Sequence, residues 1–154
     1  MSDLDQCIVE NCRQSWEEEF IKGLINKNHC SGFVKAVTKK LGIPIPETAI
    51  ADDIVDTINI SWKELISGSD AMQQAAAGIL VLAGLKSADH KPASNQGHVA
   101  VVVSGKLCRE KYLPVWGSTG GAKSQGEKSV GEVWNSIDRA NVVYYAYTIP
   151  ACNK

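Results

Sequence analysis

Residues 98–103 carry the sequence HVAVVV, and this stretch decides the fold class. Its β-branched residues favour a buried strand, and the Ser104-Gly105 pair that follows would end it. Three more segments are expected to be strands: residues 79–83 (ILVLA), 114–118 (PVWGS) and 142–149 (VVYYAYTI). The second half of the chain therefore predicts a meander of strands.

Apolar residues recur at helical spacing in the first half of the chain. The predicted helices cover residues 3–20, residues 30–41, residues 50–66 as one helix or two, and residues 70–77. Helices followed by strands indicate an α+β protein with its N-terminal helices packed on an antiparallel sheet. Because no linker divides the 154 residues, we expect one domain over residues 1–154.

Charge and hydropathy patterning disfavour several classes of partner. Lys and Arg total 16 against 17 Asp and Glu, and no segment gathers a basic tract, so nucleic acid is not expected. The N-terminus lacks the cationic and apolar regions of a secretory signal peptide. The longest apolar runs, residues 78–85 and 99–103, fall far short of the roughly 20 residues that span a bilayer. We expect a soluble monomer that does not bind membranes.

The cysteines and histidines show no metal-binding pattern. The five cysteines are Cys7, Cys12, Cys30, Cys108 and Cys152. Their odd number leaves at least one thiol free, and no C-x-x-C motif occurs. The three histidines also lack zinc-site spacing. We therefore expect neither a metal nor another cofactor.

Cys30 lies at the predicted start of a helix. The partial positive charge of a helix N-terminus stabilises a thiolate, which makes a thiol nucleophilic at neutral pH. Ser31 and Gly32 leave open backbone for a substrate carbonyl, and the N–H of Cys30 could bind the oxyanion. The alternative is a small buried core residue, which is the commoner role of an unpaired cysteine.

His98 is the best candidate for the base that a cysteine nucleophile requires, because it opens a strand directly after Gly97. His29 is adjacent to Cys30 on the helix start, so the two side chains diverge. His90 lies in a polar loop, where a solvated surface role is expected. The sequence thus predicts a Cys30–His98 pair.

The segments around these residues resemble a known family. Residues 28–34 (NHCSGFV) and 97–102 (GHVAVV) are similar to the paired Cys and His motifs of papain-like NlpC-type peptidases. The similarity extends over the whole chain, including residues 4–9, 124–131 and 133–135, to the first family of type VI secretion amidase effectors. The resemblance implies the papain-like NlpC-type fold.

The resemblance also implies an activity and partners. The expected reaction is hydrolysis of the γ-D-glutamyl to meso-diaminopimelate amide in peptidoglycan stem peptides, by a cysteine amidase. The expected route runs from the cytoplasm through the type VI secretion apparatus, without a signal peptide, into a rival's periplasm. A cognate periplasmic immunity protein is expected to protect the producer.

Two further roles follow from the family pattern. NlpC relatives take a third polar group, which orients the histidine, from the strand after the histidine's strand. Here the candidates are first the main-chain carbonyl of Trp116 and second the hydroxyl of Ser118.

The resemblance also suggests a disulfide between Cys7 and Cys152, whose alternative is two free thiols. Cys12 is expected in the core, and Cys108 is left unassigned.

Residues 117–124 (GSTGGAKS) nearly match the phosphate-binding loop G-x-x-x-x-G-K-S, with Ala122 in place of the second glycine. Gly126 interrupts the long helix that such a loop requires, so we expect a flexible loop beside the cleft instead.

Two other functions stay open at this point: a papain-like acyltransferase, and a non-catalytic module that binds a wall peptide or a protein.

Overall fold

Within the described residues, the four longest helices lie before residue 78 and five of the six strands lie after it. The computed structural model describes residues 3–17, 30–46, 48–90, 97–105, 107, 112–117, 127–134, 136–149 and 152. The helices are α1 (Asp3–Trp16), α2 (Cys30–Lys40), α3 (Ala51–Ser61), α4 (Gly68–Ala76), α5 (Val130–Val133) and α6 (Ser136–Arg139). The strands are β1 (Lys63–Leu65), β2 (Leu80–Leu85), β3 (His98–Val102), β4 (Pro114–Trp116), β5 (Glu127–Ser129) and β6 (Val143–Tyr147). The predicted α+β class is confirmed.

The six strands form one sheet in the order β1-β6-β2-β3-β4-β5. All five neighbouring pairs are antiparallel. Strands β2 to β5 therefore make the predicted meander, while β6 returns beside β2 and pairs with β1 on its outer side. Strand β3, which His98 opens, lies inside the sheet between β2 and β4.

Both faces of the sheet are covered. Along β3, Val99 and Val101 face a core built from α1, α2 and α3, whereas Ala100 and Val102 face a second core. The second core contains buried residues of α4 and of the segment from Val130 to Trp134. Because β2 and β3 are buried on both faces, their sequences are continuously apolar instead of alternating.

Helix α2 ends as the sequence predicts. Gly42 adopts a positive φ of 74°, a left-handed conformation that glycine adopts without strain, and the helix stops at Lys40. The first helix ends its regular turns at Trp16, and Phe20 lies outside the described residues.

The prediction of helix throughout residues 50–66 is wrong at its end. Helix α3 stops at Ser61, and Lys63–Leu65 form β1, which pairs with β6. Leu65 is buried whereas Lys63 and Glu64 are exposed, so pairing with β6 overrides a local pattern that suits a helix.

Within the described residues, the structure contains no helix long and apolar enough to cross a bilayer.

Candidate active site

Cys30 is the first residue of α2. The helix is held against the sheet by Phe33, Val34 and Val37, which are fully buried. Over its length, Cys30–Lys40, α2 has no acidic side chain in the first turn and carries Lys39 and Lys40 in the last. The partial positive charge of a helix N-terminus favours anionic groups in general, and no acidic side chain of this first turn opposes it.

His98 begins β3 and lies opposite Leu85 of β2. Its Nε2 atom is buried. The imidazole packs edge-to-face against the indole of Trp134, with ring centroids 5.6 Å apart and planes at 88°. Such a contact restricts the orientations that the ring can adopt.

Trp134 is itself held in place by two hydrogen bonds. Its main-chain N–H donates to the carbonyl of Val130 at 3.1 Å, and its main-chain carbonyl accepts from Nη1 of Arg139 at 2.9 Å. The Arg139 guanidinium also lies over the ring of Tyr112. Trp134 is buried, and no local sequence pattern predicts its contact with His98, because that contact joins two distant parts of the chain.

The structure brings the two elements of the predicted pair together, since α2 packs directly on β3. Strand alternation places His98 on the side of Ala100 and Trp134, whereas α2 covers the other side of the sheet. His98 is the first residue of β3, so strand alternation alone does not turn its ring toward α2. The direct pairing of the Cys30 and His98 side chains stays a prediction.

The register between β3 and β4 tests which group could orient the His98 ring. Trp116 lies opposite Val101, three positions along β3 from His98, which is about 10 Å of strand. That spacing disfavours a hydrogen bond between the Trp116 carbonyl and the His98 ring. Ser118, the second candidate, lies outside the described residues, so the identity of the orienting group stays a prediction.

Cys7 and Cys152 form a disulfide, with Cα atoms 6.0 Å apart. The bond joins α1 to the C-terminal segment. Asn11 supports it from the next turn of the helix, because its Nδ2 donates to the Cys7 carbonyl at 2.9 Å and contacts Sγ of Cys152 at 3.1 Å.

The remaining thiols and histidines have other surroundings. Cys12 is a free thiol, fully buried as predicted, and burial raises its pKa above the ordinary range. His90 is half-buried, not fully solvated, and its Nδ1 lies 3.0 Å from the carbonyl oxygen of Lys86. His29 and Cys108 lie outside the described residues. So do residues 118–124, which belong to the segment that nearly matches a phosphate-binding loop.

Among the residues that the structure describes, no three His, Cys, Asp or Glu side chains are grouped so that they could hold a metal ion.

The chain was compared with known proteins. No protein-family model matches it. It is 48% identical over 156 aligned positions to the peptidoglycan amidase Tse1 of Pseudomonas aeruginosa, and the alignment covers 99% of this chain and 97% of that protein. Identity at this level over nearly the whole of both chains establishes common membership. The chain therefore belongs to the first family of type VI secretion amidase effectors.

Proposed function

We propose that the protein is a cysteine amidase that hydrolyses the γ-D-glutamyl to meso-diaminopimelate bond of peptidoglycan stem peptides. Cys30 is the nucleophile and His98 is the general base and acid. The observation that carries the proposal is the 48% identity, over nearly the whole of both chains, to a protein named a peptidoglycan amidase. Cys30 at the start of α2 and His98 at the start of the strand on which α2 packs are compatible with this activity. The similarity to a protein named a peptidoglycan amidase supports the substrate class.

The proposed reaction proceeds through a thioester. The Cys30 thiolate attacks the γ-carbonyl carbon of the D-glutamyl residue, and its own N–H binds the oxyanion that forms. Protonated His98 then gives its proton to the departing diaminopimelate amine as the C–N bond breaks. Water attacks the thioester while His98 accepts a proton, and cleavage of the C–S bond releases the γ-carboxyl group and restores the thiolate.

The proposed site of action is the periplasm of a rival cell, reached through the type VI secretion apparatus. The Cys7–Cys152 disulfide supports this assignment, because such bonds persist in oxidising compartments. The producer's own wall would contain the same amide, so the proposal includes a cognate periplasmic immunity protein that blocks the site.

The test is a digest of Gram-negative sacculi analysed by mass spectrometry. Wild-type protein should release fragments newly cleaved between D-glutamate and diaminopimelate, and Cys30→Ala should release none. Cys12→Ala is the matched control, because it removes a thiol that lies in the core and should leave the products unchanged.

Other outcomes of the same digest would overturn the proposal. Cleavage at a different amide would identify another hydrolase on this fold, and transfer of the glutamyl group to an added amine in preference to water would identify an acyltransferase. Binding to sacculi with no cleavage by the wild type would identify a non-catalytic module.

A further inference from the structure

Asp52, in the first turn of α3, holds the start of the connection between β2 and β3. Its Oδ1 accepts a hydrogen bond from the N–H of Ser87 at 2.8 Å, and its Oδ2 accepts one from the Ser87 hydroxyl at 2.6 Å. Ser87 follows the end of β2 by two residues. Hydrogen bonds to a carboxylate are among the strong ones, so this end of the connection is firmly tied to α3.

The same carboxylate touches the other end of the connection. Gly97 directly precedes His98 and is buried. A Cβ added to Gly97 would lie 2.1 Å from Oδ1 of Asp52 and 3.0 Å from the carbonyl oxygen of Leu85. Atoms cannot approach so closely, so the carboxylate occupies the space that a side chain at residue 97 would need. Close approach of Asp52 and of the Leu85 carbonyl, and not its φ angle, favours glycine at this position.

We propose that Asp52 is a positioning residue for His98: its carboxylate, clamped by Ser87 and packed on the Gly97 backbone, fixes where the histidine enters the active site. The inference rests on the proposed function, because it assumes that the place of the His98 ring matters for the reaction. Neither Asp52 nor Gly97 touches the substrate in this account.

The contacts of Asp52 with Ser87 and Gly97, here called the clamp, act on His98 through the peptide unit that joins Gly97 to His98. Gly97 has no side chain of its own to limit its backbone, and Leu85 opposite His98 fixes only the strand side of the junction. Packing against Asp52 adds a restraint on the helix side of the same junction. Displacement of a catalytic group by about 1 Å can cost on the order of a hundredfold in rate, so a loosened junction should lower turnover more than binding.

The test compares variants at two neighbouring carboxylates of α3. Asp52→Ala removes the clamp, whereas Asp53→Ala is the matched control, since the exposed Asp53 carboxylate accepts from the N–H of Ile50 at the helix start. With a soluble stem tetrapeptide as substrate, Asp52→Ala should lower kcat about 10- to 100-fold and change KM less than about twofold. Asp53→Ala should leave both constants near those of the wild type.

Asp52→Asn provides the conservative rescue. The amide keeps the shape of the carboxylate and one acceptor oxygen, and the Ser87 hydroxyl can accept from the new NH₂ group. This variant should therefore keep most of the wild-type kcat. It also separates loss of the clamp from general damage to the helix.

The imidazole signal of His98 gives a second readout that does not depend on activity. In a ¹H–¹³C spectrum of histidine-labelled protein, the His98 resonance should move in Asp52→Ala and stay in place in Asp53→Ala. Equal effects of the two alanine variants on kcat and on this resonance would overturn the proposal.

Gly97→Ala tests the contact from its other side. The added methyl should lower kcat in the wild-type background, and the loss should be smaller in the Asp52→Ala background, where the clashing oxygen is gone. Strictly multiplicative losses would contradict the contact. If the wild type fails to cleave the peptide, the proposed function fails, and the His98 resonance alone then decides whether the clamp exists.

Discussion

At the scale of single residues, two cysteines show how surroundings set the chemistry of one side chain. Cys12 lies inside α1 and is completely buried, and burial raises its pKa because the charged thiolate loses hydration. Cys30, by contrast, is the first residue of a helix, and the positive end of a helix dipole favours anionic groups in general. The fold therefore makes Cys12 unreactive, and the proposed reaction assigns the nucleophile to Cys30.

The raised pKa of Cys12 predicts a loss of stability at alkaline pH. The unfolded thiol ionises near pH 8.5, while the folded thiol keeps its proton, so above that pH the unfolded state binds fewer protons and becomes favoured. The stability advantage of the wild type over Cys12→Ala should fall by roughly 1 kcal/mol per pH unit between about pH 8.5 and 10. Urea denaturation of both proteins across that range checks this, and a constant difference would contradict it.

At the scale of elements, α3 approaches the sheet closely because β2 carries Gly84 beneath it. A Cβ added to Gly84 would lie 2.8 Å from Cγ2 of Val55 and 3.3 Å from Cγ1 of Val99. Val55 belongs to α3 and Val99 to β3. The glycine thus lets the helix and two strands meet, beside the segment that carries His98.

Gly84→Ala should lower the free energy of unfolding by about 1–3 kcal/mol, because the added methyl overpacks this junction. The double variant Gly84→Ala with Val55→Ala should recover part of the loss, since it removes the nearest clashing atom. Urea denaturation measures these two variants, Val55→Ala alone and the wild type. Additive losses in the double variant would show that the clash is not the cause.

The limits of sequence reasoning are clearest in the edge strands. The central strands β2, β3 and β6 are predicted by apolar and β-branched runs that burial on the sheet explains. By contrast, β1 (Lys63–Leu65) and β5 (Glu127–Ser129) are short and mostly polar, and they exist because a neighbouring strand offers hydrogen bonds. No local signal marks such strands.

In the candidate site too, local sequence predicts some features, and others depend on contacts between distant segments. Cys30 and His98 stand out in the sequence because each begins an element inside a recognisable motif. The contacts of Asp52 with Gly97 and of Trp134 with His98 join distant segments, and only packing reveals them. The one available signal was the glycine directly before His98, which indicates close approach without naming the approaching atom.

At the scale of the whole molecule, the Cys7–Cys152 disulfide closes nearly the entire chain, with a sequence separation of 145. It ties α1, which packs on α2, to the segment that follows β6. The bond therefore connects the helical layer that carries Cys30 with the end of the sheet.

Removal of this bond should destabilise the protein strongly. Loop-closure entropy predicts a loss of about 4–5 kcal/mol in the free energy of unfolding for Cys7→Ala with Cys152→Ala. Urea denaturation with and without a reductant checks this: the reductant should destabilise the wild type and leave the double variant unchanged. Equal stability of the oxidised and reduced wild type would contradict the prediction.

The central claim is that Cys30 and His98 act as a pair, and the rate of Cys30 alkylation against pH tests it most directly. Peptide mapping by mass spectrometry can follow Cys30 separately from the other thiols. In the wild type, Cys30 should react with iodoacetamide at a pH well below the ordinary thiol value of about 8.5, and His98→Ala should move that profile up toward it. A wild-type profile at the ordinary value, unchanged by His98→Ala, would contradict the account.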